Sequence, residues 1–347
     1  ALAALPAGAE AFLGFAFSPE GAAAAEWEGF PNAVACLPQI GAVRREGRTR
    51  LVLAVPPGAN PAAVLASAAA LRAPREPEAP VMVSRREVPS RARWEKAVAA
   101  AVAAAGRGGP SKVVLARTLQ VALEEPTEPF DLVALLAARY PAAYAYGRRS
   151  GAAALAGASP ELLVSRRGER FACRPLAGSA RRDPDPEADR RLGADLLADP
   201  KARAEHAFVV AAVTAALRPL ASSLHVPPGP VLHRLPGVQH LATPLGGTTQ
   251  ARLLELAAAL HPTPAVGGVP TAAALEAIAG TEGFDRGWYA GGVGWADAAG
   301  DGELALVLRG ALLRHERATL YAGAGIIEGS VPADEAAETD LKLGAVL

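Results

Sequence analysis

The sequence has little of several features that mark particular classes of protein. Only two of its 347 residues are cysteine, Cys36 and Cys173, which predicts neither a disulfide framework nor a cysteine-rich zinc site. Its 35 basic residues equal its 35 acidic ones, and a chain without basic excess is a poor binder of nucleic acid. The longest nearly apolar stretch, residues 207–217, is too short to cross a bilayer, so we expect no membrane partner.

The N-terminus also lacks two common features. It has no initiator methionine, which suggests a trimmed chain, and no charged opening of the kind that begins a signal peptide. Hydrophobic residues make up 51% of the chain, too many for a disordered protein. We therefore expect a folded cytoplasmic protein with one large domain or two ordinary ones.

Lysine is scarce beside arginine. Of the 35 basic residues only four are lysine: Lys96, Lys112, Lys201 and Lys342. Arginine can replace lysine wherever a solvated positive charge suffices, but it cannot replace a group that must lose its proton near neutral pH. The four lysines are therefore candidates for chemical roles. About half of them are expected to be lysine by chance and to have no such role.

The pattern of elements indicates a mixed α+β fold. Residues 95–105 predict a helix ended by glycines, and Lys112–Val121 predicts a strand. Asp199 and Pro200 predict the start of a helix that runs to about Arg218. Strands are predicted at 162–165, 170–174, 289–295, 304–309 and 318–322, with a last helix from about Pro332. Residues 72–89 are interpreted as a connection, and repeated strand–helix–strand units are few.

Six segments combine polar chemistry with rigid local sequence, and they occur in a consistent order. They are Lys112–Arg117 (KVVLAR), Ser159–Leu163 (SPELL) with Pro175–Ser179 (PLAGS), Lys201–His206 (KARAEH), Leu260–Ala265 (LHPTPA), Phe284–Trp295 (FDRGWYAGGVGW), and Gly323–Gly325 (GAG) with Glu335–Lys342 (EAAETDLK). Together they resemble the chorismate-utilising enzymes, which include isochorismate, salicylate, anthranilate and aminodeoxychorismate synthases. The resemblance runs from about residue 85 to the C-terminus and is strongest to isochorismate synthases of the catecholate-siderophore type.

The resemblance implies a fold like that of anthranilate synthase component I. In that fold, large antiparallel sheets form a central β-sandwich with helices packed outside. It further implies a single chorismate-binding domain over residues 1–347. Residues 1–84 would be a less well matched N-terminal part, and residues 85–347 the catalytic core.

The resemblance also implies a magnesium site. Glu205 and Glu338 match the carboxylates that hold Mg²⁺ in the family, and Glu335, three residues before Glu338, would act through water. Magnesium prefers few carboxylates, several waters and ligand oxygens, which such a sparse set allows. By spacing alone, Glu335, Glu338 and Lys342 would be a solvated salt-bridge face of a helix.

Two residues match the family's proton-transfer groups. Lys112 matches the general base, and burial or a neighbouring cation would favour the loss of its proton. Glu161 matches the general acid, which requires a raised pKa so that the carboxyl keeps its proton until the C4 hydroxyl leaves. Without the resemblance, Lys112 would be a solvated strand end and Glu161 a strand-edge glutamate.

Further residues match substrate-binding positions. Arg309, predicted at the end of a strand, can grip a carboxylate with its planar guanidinium, and Lys342 adds a point charge. Backbone amides around Gly323 and Gly325 could form an anion-binding nest, or these glycines could only form a tight turn. His240 matches a histidine near the substrate ring, the alternative being a hydrogen-bonded core histidine.

Three positions distinguish branches of the family. A lysine at Lys112 indicates water as the nucleophile, because the ammonia-adding enzymes carry glutamine there. Ala177 stands where the aminodeoxychorismate branch uses a covalent lysine. Ala265 stands where enzymes that eliminate pyruvate carry threonine. The resemblance therefore implies isochorismate formation, weakly favours siderophore biosynthesis, and implies a monomer without a glutaminase subunit. The alternatives are a salicylate synthase and a catalytically silent chorismate-binding paralogue.

Overall fold

The fold is described from a computed structural model, which covers residues 5–6, 8–45, 47–73 and 75–347. Within these residues the chain forms twenty strands and eight α-helices. The helices are α1 (Pro61–Ala69), α2 (Arg91–Ala105), α3 (Pro129–Arg139), α4 (Pro186–Ala198), α5 (Pro200–Leu217), α6 (Leu253–Leu260), α7 (Thr271–Thr281) and α8 (Pro332–Leu343). The strands are β1 (Glu10–Phe15), β2 (Ala33–Cys36), β3 (Ile40–Arg45), β4 (Arg48–Leu53), β5 (Met82–Val88), β6 (Lys112–Leu123), β7 (Tyr144–Ser150), β8 (Ala153–Ser159), β9 (Leu162–Arg167), β10 (Arg170–Arg174), β11 (Leu176–Arg181), β12 (Ala221–His225), β13 (Val231–Leu235), β14 (Val238–Ala242), β15 (Leu245–Thr249), β16 (Gly268–Val269), β17 (Gly292–Asp297), β18 (Gly302–Leu306), β19 (Gly310–Arg314) and β20 (Arg317–Ile327).

The strands of the described residues pair antiparallel throughout. Eight of them form one sheet in the order β12-β15-β10-β9-β18-β17-β1-β2. Seven form a second sheet in the order β16-β6-β20-β19-β8-β7, with β5 added beside β6. A three-stranded sheet, β11-β14-β13, and the β3–β4 hairpin complete the set. The predicted α+β class with large antiparallel sheets is therefore correct.

One hydrophobic core lies between the two large sheets. Val164 and Leu304 enter it from the eight-stranded sheet, and Leu155 and Leu312 enter it from the seven-stranded sheet. This arrangement is a β-sandwich, since apolar side chains of both sheets leave water by packing against each other. The same core contains Trp27, so it joins residues before and after position 84.

Helices cover the outside of the sandwich and carry part of the cavity described below. Helix α3 packs on β7 and β8, α8 packs on β20 and α2, and α5 packs on β11. In the part of the chain that is described, no helix combines the length and apolarity needed to cross a membrane.

Helix α5 begins as its sequence predicts. The Asp199 carboxylate accepts hydrogen bonds from the backbone N–H groups of Lys201 at 2.8 Å and Ala202 at 3.3 Å, and Pro200 occupies the first helical position. This cap fixes where the helix starts. It therefore also fixes which helical face carries Lys201 and Glu205.

Three local predictions from the sequence are wrong. Residues 72–89 are not only a connection, because they contain β5, whose side chains are mostly exposed and so show no hydrophobic alternation. The strand predicted at 289–295 begins only at Gly292. The strand predicted at 304–309 ends at Leu306, and Arg309 adopts a φ of +50°, which turns the chain toward β19.

Candidate active site

A cavity at one end of the second sheet brings together most of the predicted site residues. It holds about 560 Å³ of space free of protein atoms, part of it open to solvent. Nine of the eleven predicted residues line it: Glu161, Glu205, His240, Ala265, Arg309, Gly323, Gly325, Glu338 and Lys342. The other two, Lys112 and Glu335, each form an ion pair with a neighbouring side chain.

Lys112 is the first residue of β6 and is fully buried. Its Nζ lies 3.1 Å from Glu205 Oε1, yet within the described residues it makes no well-aligned hydrogen bond. A buried ammonium with unused donors is unfavourable unless another group completes its contacts. The arrangement therefore leaves Lys112 able to engage a water or a ligand atom.

Two glycines of β20 leave room for polar groups of the site. A Cβ on Gly325 would lie 2.0 Å from Glu205 Oε1 and 2.9 Å from Lys112 Cε. A Cβ on Gly323 would lie 3.2 Å from the Tyr289 hydroxyl. Residues two apart on a strand share a face, so the absence of side chains here lets polar groups approach the strand.

The predicted anion nest at Gly323 and Gly325 is wrong, and so is the alternative of a tight turn. Both residues lie inside β20, in regular register with Ala116 and Val114 of β6. A nest needs consecutive residues of alternating helical hand, whereas a strand is extended. The backbone contact that the structure does give is an acceptor: Lys342 Nζ donates to the Gly323 carbonyl at 2.9 Å.

Glu161 is held between β8 and β9 and is buried. Its Oε1 accepts a hydrogen bond from the Leu176 backbone N–H at 3.3 Å. Burial raises the pKa of this carboxyl to about 7, although the Leu176 N–H and the charges of Lys112 and Arg309 act in the opposite direction. Glu161 therefore holds its proton to a much higher pH than an ordinary glutamate, as a general acid must.

The carboxylates of helix α8 are also paired. Glu338 contacts Lys342 Nζ at 2.5 Å and accepts a hydrogen bond from Ser179 Oγ at 3.1 Å, while Glu335 forms an ion pair with Lys201. Burial opposes ionisation of Glu338, but Lys342, Lys201 and Ser179 together lower its pKa. Burial raises the pKa of Glu335, whose partner Lys201 acts against that shift.

These carboxylates suit magnesium. Glu205 of α5 and Glu338 of α8 line the same cavity, and both offer the oxygen ligands that Mg²⁺ prefers. Across the residues that the structure describes, no three acidic, histidine or cysteine side chains converge on one point. An ion held by these two carboxylates would keep coordination positions for waters and ligand oxygens, which fits Mg²⁺. Glu335 does not line the cavity and would reach such an ion only through water.

A chain of hydrogen bonds leads from Glu338 across the cavity wall. Ser179 of β11 lies opposite His240 of β14, and Ser179 Oγ is 2.9 Å from His240 Nδ1. Arg309 Nη2 lies 3.4 Å from His240 Nε2, which therefore accepts and leaves Nδ1 to donate. Burial, with help from Arg309 and Lys342, holds the pKa of His240 well below its ordinary value, so the ring is neutral.

The two alanines that distinguish family branches both line the cavity. Ala177 lies in β11, and Ala265 lies in the connection between α6 and β16. Neither side chain can form an adduct or donate a hydrogen bond. The wall at these two positions is therefore inert and only shapes the space.

Sequence reasoning assigned no role to three residues that the structure brings to the site. Ser179 links Glu338 to His240, Tyr289 lines the cavity, and Lys201 pairs with Glu335. Burial raises the pKa of Tyr289 to about 12, so its hydroxyl stays protonated. Ser179 and Tyr289 lie in two of the six segments, PLAGS and FDRGWYAGGVGW. The scarcity of lysine had already made Lys201 a candidate for a chemical role.

Comparison of the sequence with protein families gives one match over nearly the whole chain. Residues 3–347 match the model described as "Chorismate binding enzyme". The "Salicylate biosynthesis isochorismate synthase" of Pseudomonas aeruginosa is 40% identical over 346 residues, which cover 96% of this chain and 72% of that relative. "Isochorismate synthase EntC" of Escherichia coli is 42% identical over 269 residues, or 77% of this chain and 69% of that relative.

Solved structures agree in fold. MenF, the menaquinone-specific isochorismate synthase from Escherichia coli, matches 98% of this chain and 78% of its own with a TM-score of 0.86 at 27% identity. Anthranilate synthase component I from Streptococcus pneumoniae matches 99% of this chain and 81% of its own with a TM-score of 0.81 at 23% identity, a likeness of fold alone. The expected fold is thus confirmed, and with residues 3–347 matched and relatives above 40% identity, the chain belongs to the family of chorismate-binding enzymes.

Proposed function

We propose that the protein is an isochorismate synthase, which converts chorismate to isochorismate. The observation that carries this proposal is a pair of buried groups: Glu161, which lines the cavity, and Lys112, which contacts the cavity residue Glu205. The Lys112 Nζ has no well-aligned hydrogen-bond partner among the described residues, and burial raises the pKa of the Glu161 carboxyl to about 7. Addition of water with loss of a hydroxyl needs one group that takes a proton and one that gives a proton. The names of the relatives from Pseudomonas aeruginosa and Escherichia coli support the same reaction.

In the proposed mechanism each proton has a defined donor and acceptor. Lys112, in its neutral form, accepts a proton from a water as the water oxygen bonds to C2 of the ring. The ring double bonds shift and the C4–O bond breaks. Glu161 donates its proton to the departing hydroxyl, which leaves as water.

Charge on the substrate is balanced by groups around the cavity. Glu205 and Glu338, with Glu335 acting through water, would hold Mg²⁺, which when bound neutralises the ring carboxylate. Arg309 and Lys342 line the same cavity and would bind the second carboxylate, Arg309 through its planar guanidinium. Neutral His240 would hold Arg309 in place without competing for the anion.

We further propose that the reaction stops at isochorismate. Ala265 offers no hydroxyl where pyruvate-eliminating enzymes of the family carry threonine, so elimination lacks that group. Salicylate synthase is the second candidate, since one relative is named for salicylate biosynthesis. A siderophore pathway, a monomeric state without glutaminase and a cytoplasmic location belong to the same proposal.

The test is an incubation of the purified protein with chorismate, with and without magnesium, resolved by chromatography and assayed for pyruvate. Isochorismate approaching equilibrium only with magnesium, and without pyruvate, is the expected result. Stoichiometric pyruvate with salicylate would replace the proposal with the second candidate. Untouched chorismate would refute both and lead to a chorismate-binding titration for a silent paralogue.

A further inference from the structure

Each of the three carboxylates assigned to the metal site has a different lysine as its ion-pair partner. The pairs are Lys112–Glu205, Lys201–Glu335 and Lys342–Glu338. Every carboxylate of the set is therefore already paired with a basic side chain. The fourth lysine of the chain, Lys96, is exposed on α2 and takes no part.

Lys201 is the member of this set without a role in the proposed chemistry. It does not line the cavity, and its side chain is 35% exposed, whereas the Glu335 side chain that it contacts is 1% exposed. Water screens the charges of such a buried pair poorly. Lys201 is the ion-pair partner of Glu335 among the described residues, and the Ser330 side chain adds a hydrogen bond.

The position of Lys201 places it beside the whole carboxylate set. It lies on α5 four residues before Glu205, and residues four apart share a helical face. Its ammonium reaches Glu335 of α8, the helix that also carries Glu338. Lys201 thus joins the two helices that supply the metal carboxylates.

We propose that Lys201 is an internal counter-ion that lowers the affinity of the site for Mg²⁺. This inference rests on the proposed function, because it takes Glu205, Glu335 and Glu338 as the metal carboxylates. A positive charge that already neutralises a carboxylate repels a second cation brought to the same group, and water screens this repulsion only in part because the Glu335 end of the pair is buried. Removing the charge while keeping an unbranched side chain should therefore strengthen metal binding.

The experiment is a calorimetric titration of the full chain with MgCl₂ alone, without chorismate. We expect Lys201→Met to lower the Kd for Mg²⁺ by about tenfold, the change produced by roughly 1.4 kcal/mol. Lys201→Arg keeps the charge and should stay within about twofold of the original protein. Lys96→Met removes a lysine outside the site and is the matched control.

A gain in affinity separates this role from a structural one, because a variant that merely loosens Glu335 would bind Mg²⁺ more weakly. A second titration, of Lys201→Met combined with Glu335→Gln against Glu335→Gln alone, measures how much of the effect passes through Glu335. An effect reduced in that background supports the ion-pair route.

An unchanged or higher Kd in folded Lys201→Met would overturn the inference, and so would the absence of saturable Mg²⁺ binding in both proteins. Circular dichroism and the unfolding midpoint establish that the variant is folded. Chorismate turnover by the original protein is measured separately. The titration thus decides the role of Lys201 even if the protein does not turn over chorismate. The turnover assay likewise decides the proposed function even if Lys201→Met leaves the Kd for Mg²⁺ unchanged.

Discussion

Two buried ion pairs lie close to the same strand and differ in how completely they are satisfied. Arg286 and Glu282 contact each other twice, through Nε at 2.8 Å and Nη2 at 2.5 Å. The remaining Arg286 donors reach the carbonyls of Val266 and Val114 at 2.8 Å, and Glu282 Oε1 accepts the N–H of Ala116 at 2.7 Å. This pair uses its hydrogen-bonding capacity on the backbone of the cavity wall.

Lys112 and Glu205 form the contrasting pair. Their charged atoms lie 3.1 Å apart, but Lys112 Nζ has no well-aligned partner within the described residues. A fully hydrogen-bonded buried pair stabilises one conformation, whereas an incompletely bonded one keeps capacity for a ligand. Both pairs are buried, so burial of a charged side chain does not show whether its role is structural or chemical. The two pairs differ in how many of their polar atoms are hydrogen-bonded.

The largest effect on activity is expected at Lys112. In Lys112→Met the general base is lost while a side chain of similar length remains, so kcat should fall by about 10²- to 10⁴-fold with chorismate binding retained. Turnover and a chorismate-binding titration measure the two parts. Activity above about a tenth of the original would rule out Lys112 as the base.

The largest effect on stability is expected at the other pair. Arg286→Met leaves Glu282 buried without its partner, which should cost about 3–5 kcal/mol of unfolding free energy. Denaturant unfolding of Arg286→Met and Lys112→Met gives the comparison. An equal loss in the two variants would remove the distinction between a satisfied and an unsatisfied pair.

A smaller effect is expected when the unsatisfied pair is pushed apart. Gly325→Ala places a methyl group 2.0 Å from Glu205 Oε1, so the Glu205 carboxylate must move, and kcat/KM should fall by about 10- to 100-fold. Gly280→Ala is the matched control, because a Cβ there meets nothing within 4 Å and the site is helical. The control should be neutral or stabilised by up to about 1 kcal/mol.

The smallest effect is a pH dependence from Glu161. Its pKa is about 7, so kcat/KM should fall about tenfold per pH unit above that value as the general acid loses its proton. Because this pKa lies above the ordinary 4.5, the folded state holds the proton more tightly, and this contribution to stability is lost as pH rises from 4.5 to about 7. Glu161→Gln should remove that part of the stability profile. A profile unchanged by the substitution would contradict the assignment.

The sequence predicts elements well where local chemistry decides them. The Asp199 cap and the glycines after α2 both act within a few residues, and each lies at an observed boundary. Strand β5 was missed because Arg85, Arg86 and Glu87 follow one another in it, the two arginines exposed and Glu87 half-buried. Only pairing with β6, far along the chain, makes that segment a strand.

The site follows the same division. The carboxylates and basic residues of the site could be predicted because they lie in segments that match the family in the same order. Most of them line one cavity in the structure. The Lys342–Glu338 pair lies within α8 at a spacing of four residues, which the sequence shows. Which glutamate Lys112 and Lys201 contact depends instead on how α5 and α8 meet across β11 and β20, and spacing along the chain carries no information on that. The steric reason for Gly325 is likewise visible only once Glu205 is seen against the strand.

The scarcity of lysine has a practical consequence. Only Lys96 lies outside the site, so Lys96→Arg would leave a protein in which every lysine side chain belongs to the ionic set around the cavity. Isotope labelling of lysine would then give three spectroscopic signals, one for each carboxylate of the set. The chain thus carries its own site-specific reporters, and magnesium or substrate could be followed at each of them without a foreign label.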